Sequence, residues 1–227
     1  MKIKNDSMDN DSFYQFLYDF YTATNSYTKE GGAWYVWFSE SEGINFRKAF
    51  IDSGILAKQT LIWVKNHPGY GRQDYQNKYE PCLYGWKPGE SHYFIDDRTK
   101  STIIEDKVDY SKMNKKQLMD IVKEFILKQS SKTNVIYCDR VWRNDIHPTM
   151  KPIKLLAPLI NNSSIEGQIV ADGFLGSGST MVASHQLKRR CYGIELDPKY
   201  CQVILERMIK LDPTLTIKRN GQEYKLD

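Results

Sequence analysis

A glycine-rich turn set between a short apolar run and a helical run constrains this chain more than any other feature. Gln168-Ile169-Val170-Ala171-Asp172 reads as a strand and Ser179 to Leu187 as a helix. Between them lies Asp172-Gly173-Phe174-Leu175-Gly176-Ser177-Gly178-Ser179-Thr180. Glycines there let the backbone turn sharply and approach a ligand closely. The helix that follows aims free N–H groups and the positive end of its dipole at the turn. Cys191-Tyr192-Gly193-Ile194-Glu195 reads as the next strand and ends in an acid 19 residues after Gly176. Doubly wound α/β folds place an acid there to bind two ribose hydroxyls. A tight turn with no ligand is the plainer alternative.

The ligand this pattern predicts is a dinucleotide or S-adenosylmethionine. Met181 stands where a dinucleotide fingerprint carries its third glycine. Such a fingerprint also opens its domain, whereas only 32 residues follow Glu195 here. The rest of the sheet must therefore come from upstream sequence, a permuted order that points towards methyltransferases.

Upstream, Asp11 to about Tyr27 reads as a helix with Phe13, Phe16, Leu17, Phe20 and Tyr21 on one stripe. Gly31-Gly32 ends it, and Ala33 to Phe38 follows as a buried strand. Residues 43–52 read as a helix and Thr60 to Val64 as a strand, the strand–helix–strand unit of a parallel sheet. Asn66 to Gln76 reads as a loop, Glu80 to Trp86 as a strand, and Val135-Ile136-Tyr137 as a short strand. Lys112 to about Lys128 reads as a lysine-rich helix with a solvated basic face. Pro152 opens a helix to about Ile160, Tyr200 to Leu211 forms another, and Asn220-Gly221 marks a terminal hairpin. With no internal repeat or Pro/Gly linker, residues 1–227 are expected to form one integrated domain.

Composition narrows the class. Of the 227 residues 41% are hydrophobic and 26% charged, which excludes a disordered or collagen-like chain. No apolar run approaches the roughly 20 residues of a membrane span, and no apolar leader is seen at Met1-Lys2-Ile3-Lys4-Asn5-Asp6, so a soluble, cytoplasmic protein with no membrane partner is expected. Four scattered cysteines without a C-x-x-C pair, and four dispersed histidines, predict reduced thiols and no metal. The net charge of +4 is mild; residues 1–60 carry 6 basic and 8 acidic side chains, residues 146–227 carry 11 and 8, so a polyanion would prefer the later part.

The segment Asp172 to Glu195 resembles the cofactor motif D-P-F-x-G-S-G-[ST]-T of amino-group DNA methyltransferases in the permuted (β) order. His147-Pro148-Thr149-Met150-Lys151-Pro152 resembles the H-P-[TS]-x-K-P stretch that precedes it. Trp63-Val64-Lys65-Asn66, Gly71-Arg72-Gln73-Asp74-Tyr75 and Glu80-Pro81-Cys82-Leu83-Tyr84-Gly85-Trp86-Lys87 resemble a phage and prophage adenine-N6 branch. The likeness runs from about Lys4 to Arg207. It implies an α/β, Rossmann-like S-adenosylmethionine-dependent methyltransferase sheet with a DNA-recognition insert. It also implies that Asp172, Phe174, Gly176 and Gly178 shape the methionine pocket beside Ser179 and Thr180. Glu195 would take the ribose hydroxyls, Asp197 would lie near the adenine, and Thr149 and Lys151 would lie near the cofactor's amino-acid end. His147 is expected to be structural.

The family's D-P-P-Y or S-P-P-[YFW] motif, whose polar group and backbone carbonyl accept from the target amine while the aromatic ring stacks on the flipped base, does not occur in the 227 residues. Asp197-Pro198-Lys199-Tyr200 has Lys at the second proline and lies on the cofactor side, and Gly173 stands where proline is usual. One central strand, between the Gln168–Asp172 and Ala33–Phe38 strands, is therefore expected to be missing, and no catalytic residue is assigned. A late start, a partner polypeptide supplying that strand, and a decayed remnant remain open. Residues 66–146 fit the target-recognition insert, with Arg72, Tyr75, Lys78, Arg140 and Arg143, together with Lys65, as candidate contacts to double-stranded DNA. The resemblance implies adenine-N6 methylation, impaired in this chain alone. The alternatives are a non-catalytic cofactor- or DNA-binding remnant, one subunit of a split enzyme, and a nicotinamide-dependent oxidoreductase.

Overall fold

The computed structural model describes residues 8–69, 74–95, 135–138 and 150–224. The expected helix at 112–128 lies outside them. The chain falls into two compact units, 1–139 and 140–227.

The first unit begins with α1 (Asn10–Tyr27), whose Asp9 caps the first turn by accepting from the Ser12 amide at 2.9 Å. Leu17 and Tyr21, at i,i+4 spacing, are its buried residues, while Phe16 is 41% exposed. At the other end the Lys87 ammonium donates to the Asn25 and Thr28 carbonyls at 2.9 and 2.8 Å, a cation placed where the helix dipole favours one. β1 (Ala33–Trp37), α2 (Gly43–Asp52), β2 (Leu56–Gly69), β3 (Asn77–Trp86) and β4 (Val135–Tyr137) follow. The apolar sides of α1 and α2 meet the sheet through Tyr21, Trp34 and Phe50, three rings packed edge to face at 5.5–6.0 Å. Phe38, Ala49, Ile55 and Leu83 complete this core.

The sheet order is β1-β3-β2-β4. β1 and β2 run parallel, as their crossover helix requires, yet they do not touch: β3 lies between them and is antiparallel to both. The strand–helix–strand unit is thus parallel as expected, with β3 inserted to make the sheet mixed. β2 also runs on to Gly69, through residues read as loop, because pairing with β3 holds it, with a register shift between Val64 and Gly69. β3 falls inside the span expected as an insert, but its Cys82, Leu83 and Tyr84 are buried at the centre of this sheet.

In the second unit, α3 (Ile153–Ser163) starts from Pro152 as its N-cap and buries Leu155 and Leu159. β5 (Ile169–Asp172) pairs in parallel with β6 (Arg190–Gly193), and α4 (Ser179–Gln186) connects them. α5 (Pro198–Leu211) follows, then the hairpin β7 (Lys218–Arg219) and β8 (Gln222–Glu223), whose Asn220 and Gly221 have φ of 53° and 83°. Arg189 ties the end of α3 to the β6 side by donating to the Ser164 carbonyl at 2.7 Å and to Asn161 at 3.2 Å. Among the described residues β1 pairs only with β3, and β5 only with β6.

Candidate functional site

The glycine turn leaves the end of β5 and is held through its peptide groups, most of which bond to partners outside the turn. Phe174 N–H donates to the Asp172 carboxylate at 2.9 Å, and Leu175 N–H donates to the Ile194 carbonyl at 2.9 Å. Ile194 N–H in turn donates to the Asp172 carbonyl at 2.9 Å. These two bonds carry the β5–β6 contact past Gly193, where β6 ends short of the predicted Glu195. Gly178 N–H closes the turn on the Leu175 carbonyl at 2.9 Å. Gly176 and Gly178 have φ of 55° and 80°, a region that L side chains enter at a cost, so the glycines are required by the backbone path. A Cβ on Gly178 would also stand 2.9 Å from Ile204 Cγ1 of α5, so this glycine additionally admits the helix.

Glu195 is drawn into this turn. One of its oxygens accepts from Gly176 N–H at 2.7 Å and the other from Asp197 N–H at 2.9 Å. The acid that sequence spacing singled out is therefore brought to the glycine it was counted from. Asp197 caps α5 by accepting from the Lys199 amide at 2.9 Å. Phe174 projects from the turn and is 61% exposed, while Leu175 is buried. Ser177 and Ser179 are buried, and Ser179 Oγ has no hydrogen-bond partner among the described residues. Thr180 is half-buried on the first turn of α4, and Lys151 is half-buried just before α3. Burial pushes the Cys191 thiol on β6 up to about 11, with Ser184 opposing and Asp172 adding to the rise, so it is a neutral packing residue at physiological pH.

A carboxylate offers about four lone-pair sites, and two of those on Glu195 are used by backbone amides. One site on each oxygen remains, the arrangement that a vicinal diol requires. The donor set thus fits a ribose-bearing ligand. Among the described residues there is no group of three or more His, Cys, Asp or Glu that could hold a metal ion, and no helix is long and apolar enough to cross a membrane.

The candidate DNA contacts separate. Tyr75 is 90% exposed and Lys78 is exposed at the start of β3. Lys65 is buried on β2, where it makes an ion pair with Glu80 at 2.8 Å and lies over the Trp63 ring at 5.7 Å. Its ammonium faces an acid inside the protein, which a strand read in isolation does not reveal. Thr149, Arg72, Arg140 and Arg143 lie outside the described residues. Sequence reasoning passed over Arg207 of α5, which donates to the Ser177 carbonyl beside Ile204, a residue the helical pattern already turns inward. Their i,i+3 spacing on a helix capped by Asp197 was the available signal.

An α/β unit with a glycine turn and an acid just beyond the neighbouring strand defines a nucleotide-binding class of protein. The family model described as DNA methylase, for N6 and N4 methyltransferases, matches residues 1–206, and the chain belongs to this family. It is 29% identical over 185 residues to the type II methyltransferase M.BglI of Bacillus subtilis, covering 79% of this chain and 45% of that protein. It is 26% identical over 211 residues to the DNA adenine methyltransferase YhdJ of Escherichia coli strain K12, covering 87% of this chain and 67% of that protein. The chain thus spans less than half the length of M.BglI and about two thirds of YhdJ. In structure it is similar to M1.HpyAVI in its complex with SAM, with a TM-score of 0.65 at 20% identity over 87% of this chain and 84% of that one, a likeness of fold.

Proposed function

We propose that this chain is the S-adenosylmethionine- and DNA-binding part of a methyltransferase that modifies the N6 amino group of adenine in double-stranded DNA. The observation that carries the cofactor assignment is the Glu195 carboxylate, held against Gly176 with one acceptor site left on each oxygen. Glu195 holds the ribose diol, Gly176 and Gly178 give the backbone room, and Phe174 walls the site. Asp172, Ser179, Thr180, Asp197, Thr149 and Lys151 complete the set. The bound donor supplies an activated methyl group, so the protein's work is to bind, orient and exclude water. Adenine rather than cytosine follows the likeness to YhdJ, within a family that includes both kinds of amino-group enzyme. Tyr75, Lys78, Arg72, Arg140 and Arg143 are the DNA contacts of this reading; Lys65 would have to leave Glu80 to join them.

No D-P-P-Y occurs in the 227 residues, so nothing in them is assigned to hold the target amine. In this reading transfer needs a polypeptide that carries the motif, and the chain by itself binds donor and DNA with little turnover. The non-catalytic reading rests on the same absence. Incubating the purified chain with methyl-labelled donor and mixed-sequence DNA, with and without a D-P-P-Y-bearing fragment, separates the two. Label recovered as N6-methyladenine only with the fragment supports the proposal. Label as N4-methylcytosine overturns the adenine assignment, no label in either case favours the non-catalytic reading, and no calorimetric binding of the donor overturns the site.

A further inference from the structure

Positive φ at Gly176 and Gly178 means that side-chain sterics do not hold the turn in shape. Its peptide groups must be held instead. The Leu175, Gly176 and Gly178 amides find their acceptors within the turn or on the segment after β6. The Ser177 carbonyl is taken from outside that circle, by Arg207 Nη1 of α5. Ile204, one helical turn earlier on the same face, is the residue packed against Gly178. α5 therefore grips the Ser177–Gly178 peptide at both of its ends.

The grip uses a charge. Burial holds the Arg207 pKa below its usual value, yet a guanidinium stays protonated at neutral pH. Among the described residues no carboxylate lies within ion-pair distance of it, so its bond to a backbone carbonyl is not a by-product of an ion pair. A charged donor makes a stronger bond to a carbonyl than a neutral one. We propose that Arg207 is a positioning residue: it fixes the Ser177–Gly178 peptide, and through it the turn and the first residues of α4, in the ligand-ready shape before the donor arrives. This rests on the reading of the turn as the S-adenosylmethionine site.

The test uses the full 227-residue chain with three substitutions, Arg207→Met, Arg207→Lys and Met208→Ala. Calorimetry gives the Kd for S-adenosylmethionine, thermal melting gives stability, and hydrogen exchange of the Gly178 amide in the ligand-free protein reports the turn directly. R207M keeps the apolar stem but loses the donor, and is expected to bind the donor molecule roughly tenfold or more weakly and to exchange the Gly178 amide faster. R207K keeps a charge without the planar fork and is expected to fall between. M208A is expected to lower the melting temperature and leave Kd within about twofold. R207M binding within about twofold of wild type, or M208A losing as much affinity as R207M, overturns the proposal. If R207M does not fold, R207K decides: binding and exchange equal to wild type overturn it, and weakened binding with faster exchange supports it. A wild-type chain that does not bind the molecule sinks the reading of the site instead, while the exchange measurement still judges the role of Arg207.

Discussion

Placing a methyl group on Gly178 tests the geometry of the turn at a single atom. Two costs are expected. An L residue at φ 80° is strained by about 1–2 kcal/mol, part of which is returned because alanine restricts the unfolded chain. The new Cβ would also stand 2.9 and 3.2 Å from the two γ carbons of Ile204, which is 5% exposed and has little room to withdraw. Overpacking of this kind costs about 1–3 kcal/mol. Gly178→Ala is therefore expected to destabilise the second unit by about 2–4 kcal/mol. Ile204→Ala removes the clashing atoms, so in that background Gly178→Ala should cost only the strain, about 1 kcal/mol. The double-mutant cycle should then show a coupling of about 1–3 kcal/mol. Native-state hydrogen exchange of the Val182 amide, which donates to the Gly178 carbonyl at 3.0 Å, reads the opening of α4 locally. Equal costs in both backgrounds would refute the claim that Gly178 is glycine to admit α5.

Three further outcomes follow from packing and charge. Phe50 is fully buried between Tyr21 and Trp34, and Phe50→Ala should cost about 3–5 kcal/mol in urea unfolding; a loss below about 1 kcal/mol would mean that α2 does not close this core. Glu80→Gln leaves the buried Lys65 ammonium without its carboxylate and should cost about 2–4 kcal/mol, whereas a neutral result would mean that Lys65 turns to solvent. At pH 8 the Cys191 thiol, pushed up to about 11, should be alkylated roughly a hundredfold more slowly than an ordinary thiol. Because the folded state holds that proton more tightly than the unfolded one, Cys191 costs the fold nothing below the ordinary value of 9.0 and reduces stability as pH rises from there to about 11. Rapid labelling at pH 8 would show that β6 is open on that side.

The local elements were legible because each is written in a periodicity or a punctuation mark. Leu17 and Tyr21 of the predicted α1 stripe are buried while its Phe16 is exposed, α5 opens at Pro198, two residues ahead of the predicted Tyr200, and the Asn220-Gly221 hairpin stands where its residues predict it. The turn and its acid were legible too, since spacing along the chain limits what Glu195 can reach. Less could be read wherever a neighbour decides. β3 enters between two parallel strands because sheet partners are chosen by the packing of whole faces, and a strand's own residues do not name its neighbours. β2 runs through 66–69 to Gly69, which pairs with Asn77 of β3 after a register shift, against the turn-forming composition of this stretch.

The sequence by itself determined the glycine turn and its acid, because glycine at 176 and 178 admits the positive-φ path and the 19-residue spacing lets Glu195 reach Gly176. Tertiary structure alone decided what each polar group does once there. Lys65 faces Glu80 instead of solvent, and Arg207, silent in a helical stripe, grips the Ser177 carbonyl. A charge acts on whatever lies within a few ångströms of it, and those neighbours come from parts of the chain that only folding brings together.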